Sequence, residues 1–287
     1  MNPEEKEKYE KAIEISKKIF SEVESKIKEG VKLLELAEFI ENRIIELGAE
    51  IAFPVNLSIN EIAAHYTPDK NDKTELKEGD LIKVDVGIHV DGYIADRART
   101  FIVGEKSHEL IRASEEALKE ALKIIKPGNR VYQVAEVIEE VAKSYGFNPV
   151  RNLSGHGLGR YKIHTEPTIL NGRNNIQQEF KEGQAIAMEV FMTNGLGWVK
   201  ESLPILIYEL ENPNIPVRFR DSRLLLNHIV ENYKTLPFAK RWISILSPTR
   251  LDFALSELVN LGILKEHPIL KEKSNGWVAQ TEETILL

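Results

Sequence analysis

The chain has 287 residues, 38 basic and 45 acidic side chains, a net charge of −7 and no cysteine. The acidic balance argues against whole-protein affinity for nucleic acid or anionic membrane, and the missing cysteines exclude disulfides, thiolate metal sites and a cysteine nucleophile. No apolar run approaches a membrane span, and "MNPEEKEKYEKAIEISKK" is unlike a signal peptide, so a soluble cytoplasmic protein is expected.

Tyr9, Ile13, Phe20, Val23 and Ile27 recur at helical spacing and predict a helix over 5–29, stopped by Gly30. A second amphipathic helix is predicted over 33–47, before Gly48. β-like runs follow at 51–59, 81–90 and 93–103. The order then restarts, with helices over 107–125 and 130–145 and β-like runs near 150–154, 163–170, 184–193 and 277–287. Between about 199 and 272 lie Pro204, Pro213, Pro216, Pro237 and Pro248, with short helical patterns at 237–246 and 249–261. That stretch reads as a small, mainly helical insert, leaving 1–198 and 273–287 as the main domain. Its helix pair is not expected to bind DNA, because "RLDFALSELVNLG" sets Asp252 and Glu257 beside Arg250 on a mostly apolar helix.

The restart is an internal repeat. "IKEGVKLLELAEFIENRI" (27–44) parallels "IKPGNRVYQVAEVIEEVA" (125–142), and "NLS" recurs at 56–58 and 152–154. "HYTP" (65–68) parallels "HTEP" (164–167), and "KEGDLIKVD" (77–85) parallels "KEGQAIAME" (181–189). The offsets stay between 96 and 104 residues. Two halves related by a pseudo-dyad are implied, with a cleft at their centre. The repeat sets Asp85 against Glu189 and His65 against His164.

"KVDVGIHVDGYIADRARTF" (83–101) carries two aspartates in an alternating apolar run, with an Asp91-Gly92 hairpin signal between them. A two-residue loop pairs Val90 with Tyr93, Ile88 with Ala95, Gly87 with Asp96 and Asp85 with Ala98. Asp85 and Asp96 then share one face as diagonal neighbours, Cα atoms roughly 7–8 Å apart, with Gly87 leaving room between them. Such a pair reads either as a solvated polar face or as a site whose burial is offset by cations. Glu189, brought by the repeat to the same sheet, favours the cation site.

"SGHGLGRYKIH" (154–164) holds His156 between glycines, which permit close backbone approach, and ends at His164. With His65 these histidines point to function. No GxGxxG or Lys-Ser/Thr follows, so nucleotide binding is not supported. In the last strand, "GWVAQTEETILL", Glu282 and Glu283 point to opposite faces, and periodicity does not choose between them.

On "NEIAAHYTP", "VDVGIHVDGYIADRA", "GHGLGRYKIH", "AMEVF", "TLPFAKRW" and "VAQTEETI", in that order, the chain resembles the type II methionine aminopeptidases of the archaeal-like short form. These belong to the pita-bread metallopeptidases of family M24, and the resemblance covers essentially the whole chain. It implies an α+β pita-bread fold: a pseudo-two-fold antiparallel sheet with helices outside it, plus the insert. It also implies two divalent metal ions (Co, Mn, Fe or Zn). Asp85 would chelate one, Asp96 and Glu282 would bridge both, and His156 with Glu189 would hold the other. His65 and His164 would line the substrate site, and Phe53, Ile163 and Phe191 would form the methionine pocket. Two departures stand out. Val190 occupies the place of a proline, and Glu283 that of a histidine, which would add a negative charge beside the centre. "HTEP" also resembles proline-specific relatives of the same fold.

The activity so implied is removal of N-terminal methionine from peptides and nascent proteins, acting as a monomer and at the ribosome. Four carboxylates and one imidazole suit borderline divalent ions and balance two dications formally. A water on those ions would ionise near neutrality and attack the first peptide carbonyl. His164 would stabilise the oxyanion, Glu189 would shuttle a proton to the leaving amine and His65 would orient the substrate.

Overall fold

The computed structural model describes residues 1–287. Helices α1 (Pro3–Val23) and α2 (Leu33–Glu46) lead into strands β1 (Glu50–Ile59), β2 (Ile62–Ala64), β3 (Leu81–Val90) and β4 (Tyr93–Ile102). Helices α3 (Glu109–Ile124) and α4 (Val131–Tyr145) follow, then β5 (Asn148–Pro149), β6 (Ser154–Gly159), β7 (Lys162–Leu170) and β8 (Ala185–Thr193). The remainder is β9 (Val199–Leu210), α5 (Arg220–Asn232), β10 (Phe238–Ala239), α6 (Pro248–Asn260), β11 (Leu264–Glu272) and β12 (Val278–Leu286). Helix α1 starts at a capping box: Asn2 and Glu5 exchange side-chain-to-backbone bonds of 2.9 Å each, and Pro3 occupies the first turn. Its end at Val23, followed by a short 3₁₀ turn, falls before the predicted limit of 29.

The main sheet runs β1-β3-β4-β12-β8-β6-β7, with β5 paired to β8. The repeat is visible in that order: β3 and β8, which carry the "KEG" mates, flank the central pair β4 and β12. Alternation sorts the two faces. Ile82, Val84, Val86 and Ile88 pack under α1 and α2, while Ile186, Met188, Val190 and Met192 pack with α3 and α4. Their neighbours in sequence point to the opposite, cleft face. The hairpin register is the predicted one, from Val90 opposite Tyr93 to Asp85 opposite Ala98. Asp91 and Gly92 both take positive φ (51° and 83°), as a type I′ turn demands.

A second, four-stranded sheet runs β10-β9-β11-β2. Here the expectation of a mainly helical insert is corrected: the segment pairs two long strands, β9 and β11, and carries two helices, α5 and α6. The helix predicted over 237–246 is a short strand, β10, followed by a 3₁₀ turn over Lys240–Trp242. Phe238 and Ala239 pair with Tyr208 and Ile207, and both are fully buried. Tertiary pairing overrides local helical spacing there.

A buried ion pair docks this segment on the main sheet. Arg241, 7% exposed, donates through Nη2 to Glu41 of α2, itself 7% exposed, and through Nη1 to Thr67 Oγ1 and, at 3.2 Å, to the Pro68 carbonyl. Trp242 Nε1 donates to Glu41 Oε2 at 3.1 Å, and Val55 N to Glu41 Oε1 at 3.3 Å. Arg241→Ala leaves the Glu41 carboxylate without its charge partner. It is predicted to lower the unfolding free energy by about 3–5 kcal/mol in urea denaturation. A change within about 0.5 kcal/mol, typical of surface sites, contradicts the docking role.

Candidate metal centre

Five strands of the main sheet deliver one donor each to the cleft face. Asp85 comes from β3, Asp96 from β4, Glu282 from β12, Glu189 from β8 and His156 from β6. All five line one cavity. Donor atoms of Asp96, His156 and Glu282 lie within 4.8 Å of one another. His156 Nε2 is 3.8 Å from Asp96 Oδ2 and 4.0 Å from Glu189 Oε1. Its Nδ1 lies 3.2 Å from the Gly157 carbonyl, a contact that assigns the N–H to Nδ1 and leaves the Nε2 lone pair facing the carboxylates. Gly157 serves strand approach, not ligand approach: a Cβ there would sit 2.2 Å from the Glu166 carbonyl oxygen. The gap over Gly87 is filled by the Phe53 ring, which a Cβ at Gly87 would meet at 2.2 Å.

Electrostatics mark the cluster as incomplete. Burial, reinforced by the neighbouring carboxylates, holds Asp96, Glu189 and Glu282 well above the ordinary carboxylate range, and burial pushes Asp85 up to about 7. Burial also lowers His156 to about 4, so its imidazole is neutral. Asp85 Oδ1, Asp96 Oδ1 and Glu282 Oε1 are buried with no hydrogen-bond partner. Buried polar atoms are rarely left so. Cations answer both problems, and an oxygen-rich set with one imidazole and no thiolate fits Mn(II), Fe(II), Co(II) or Zn(II).

The other predicted site residues line the same cavity: His65 and His164, with Phe53, Ile163 and Phe191 as apolar wall. His65 has positive φ (64°), and its Nδ1 lies 3.0 Å from the Pro268 carbonyl. Burial, then His267, lowers its pKa to about 4. The His164 ring lies 4.4 Å from that of His156, centroid to centroid. His164 keeps solvent access. It too is pushed below its ordinary range, by partial loss of hydration and then by His156, His267 and His65.

Sequence reasoning missed Gln280 and His267. Gln280 Nε2 lies 3.2 Å from Asp85 Oδ2, 3.3 Å from Glu189 Oε2 and 3.4 Å from Glu282 Oε2. Its shared face with Glu282, two residues on, was the available signal. His267, on β11, lines the cavity, stacks edge-on with His65 and meets Glu209 Oε2 at 2.8 Å. Nothing local distinguishes it.

Glu283 does not burden the centre. Of the two glutamates only Glu282 lines the cleft, and Glu283 pairs instead with Arg97 (3.2 Å) and Arg99. Arg97 also donates to Ser16 of α1, on the helix side of the sheet. Val190 likewise lies in the helix-side core.

The profile of metallopeptidase family M24 matches residues 7–225. A methionine aminopeptidase of Thermococcus onnurineus is 49% identical, covering 99% of this chain and 97% of the relative. One of Archaeoglobus fulgidus is 47% identical, covering 100% and 97%. Among solved structures, a methionine aminopeptidase of Thermotoga maritima aligns with a TM-score of 0.71 at 25% identity, covering 100% of this chain and 94% of that one. A thermophilic Arx1 aligns at 0.89 with 20% identity, covering 100% and 88%, which speaks for the fold alone.

Divalent ions must displace protons from these carboxylates, so binding strengthens as pH rises. The raised pKa values give the sign. Without metal the carboxylates stabilise the fold below their unfolded pKa near 4 and lose that contribution as pH climbs, through about 7 for Asp85. The melting-temperature gain on adding Mn²⁺ to chelator-treated protein is therefore predicted to grow from pH 5 to pH 8. A gain independent of pH contradicts carboxylate ligation.

Proposed function

Because the chain belongs to metallopeptidase family M24, we infer that its cleft removes N-terminal methionine from peptides and proteins in a metal-dependent hydrolysis. The observation that carries this reading is the convergence of five donors, three with unpartnered carboxylate oxygens, in one cavity that Phe53, Ile163 and Phe191 also line.

We propose that Asp85, Asp96, His156, Glu189 and Glu282 hold two divalent ions, whose four positive charges match four carboxylates. When bound, such ions supply Lewis acidity, polarising the scissile carbonyl and making water acidic near neutral pH. The protein's own groups do the rest. Phe53, Ile163 and Phe191 receive the unbranched methionine side chain. His164, a neutral imidazole open to the cleft, donates a hydrogen bond to the carbonyl oxygen as negative charge develops there. Glu189 passes a proton to the leaving amine through a carboxylate oxygen. His65, its ring fixed by the Pro268 carbonyl, orients the substrate backbone.

Nascent chains supply such termini, which makes the cytoplasm and the ribosome the proposed setting, with a monomer as the working unit. No helix is long and apolar enough to cross a membrane. We also propose 1–198 and 273–287 as the catalytic domain and 199–272 as its insert, with β2 of the former paired into the sheet of the latter.

Methionine release from Met-Ala-Ser, lost on chelation and restored by Mn²⁺, is the direct test. Faster cleavage of X-Pro dipeptides than of Met-Ala-Ser would instead assign a proline-directed activity. Glu189→Gln is predicted to lower kcat by about 10²–10⁴-fold. His164→Ala is predicted to lower kcat by about 10²–10³-fold with KM little changed, as loss of an oxyanion donor does. A His164→Ala enzyme with wild-type kcat removes that residue from the chemistry.

A further inference from the structure

Strands β4 and β12 join the two halves of the main sheet, yet their registered pairing is a single position, Glu282 opposite Ala98. Two residues to either side, a threonine hydroxyl does the work of a backbone pair. Thr284 Oγ1 accepts from Asp96 N at 2.7 Å and donates to Asp96 O at 2.9 Å. Thr100 Oγ1 accepts from Gln280 N at 2.8 Å and donates to Gln280 O at 2.7 Å. A dyad through the Ala98–Glu282 pair exchanges Thr100 with Thr284 and Asp96 with Gln280. The two clamps are thus one device used twice. Both threonines are buried, 5% and 7% exposed.

Direct antiparallel pairing would hold facing Cα atoms at about 4.5–5.5 Å. A hydroxyl oxygen that satisfies both backbone groups of the residue opposite must lie between the strands and keeps them from closing to that pairing. The clamped residues are not arbitrary. Asp96 is itself a candidate ligand, and Gln280 reaches Asp85, Glu189 and Glu282. Asp96 and Glu282 stand on facing strands, so the width of this junction sets the separation of their carboxylates.

We propose that Thr100 and Thr284 are positioning residues: their hydroxyls hold β4 and β12 at the spacing at which Asp96 and Glu282 can share divalent ions. This rests on the reading of the metal centre given above. Thr284→Val removes the hydroxyl at nearly constant volume, and Thr284→Ser keeps it. Mn²⁺ titrated calorimetrically into the metal-free full chain reads the site without relying on turnover, and Met-Ala-Ser hydrolysis supplies kcat and KM. Wild-type protein that neither binds Mn²⁺ nor releases methionine overturns the metal-centre reading, whatever the threonines do. Given wild-type binding, Thr284→Val and Thr100→Val are expected to weaken Mn²⁺ affinity by about 10-fold or more. They are also expected to lower kcat with KM held within about 2-fold, as a defect confined to the reacting groups requires. Thr284→Ser is expected to restore both quantities. Folded valine variants with wild-type Mn²⁺ affinity overturn the proposal. If the valine variants do not fold, Thr284→Ser decides it: wild-type affinity supports the hydroxyl clamp, and a loss of about 10-fold assigns the effect to side-chain shape instead.

Discussion

The burial of four carboxylates together in one cavity is the constraint on which the rest of this structure depends. Asp85, Asp96, Glu189 and Glu282 are each held above the ordinary carboxylate range, chiefly by burial. A cluster of this kind persists only if the scaffold is stiff enough to keep like charges together and if cations complete it. The stiffness comes from placing each group on a different strand of one continuous sheet, with helix pairs α1/α2 and α3/α4 filling the opposite face. Positive charge behind the sheet contributes as well. Arg99 donates to the Glu282 carbonyl at 2.8 Å, and its guanidinium favours the ionised form of Glu282.

Pseudo-symmetry explains why so few residues suffice. Duplicating a helix-helix-strand unit places equivalent positions around one axis, so Asp85 and Glu189 approach the centre from opposite sides. The halves have diverged at the axis itself. Asp96 has Gln280 as its mate, an ionisable group exchanged for an amide. A carboxylate at 280 would add a fifth buried charge beside three others. An amide instead sets its two N–H donors within 3.4 Å of all three while adding no charge.

Period-two alternation and one Asp-Gly turn were enough to set Asp85 and Asp96 on a common face, because a hairpin with a two-residue loop has one register. The choice between Glu282 and Glu283 was not legible from alternation, since it depends on which face of β12 meets helices, a property of distant sequence. The insert was hardest to read. Strand β9 contains Pro204, and its pairing with β11 is irregular around Pro268, so neither shows clean alternation. Helix α5 lies beyond Pro213 and Pro216 and was not predicted at all. His267 joins the cavity only because β11 crosses beside β2, a contact between segments some 200 residues apart.

That crossing couples docking to chemistry. Strand β2 pairs with β11, so the residue that follows it, His65, is carried on the sheet of the insert, while the carboxylates ride on the main sheet. The His65 ring is fixed by the Pro268 carbonyl and by His267, both on β11. The relative position of His65 and the buried carboxylates therefore depends on how firmly the two sheets are joined. Arg241 is one of the joints: it grips Glu41 of α2 and, through Thr67 and Pro68, the chain just beyond His65. A buried ion pair is an inefficient source of net stability, because desolvation cancels much of its attraction. Its directional bonds do define one docked geometry, and at this joint geometry is what the role proposed for His65 requires.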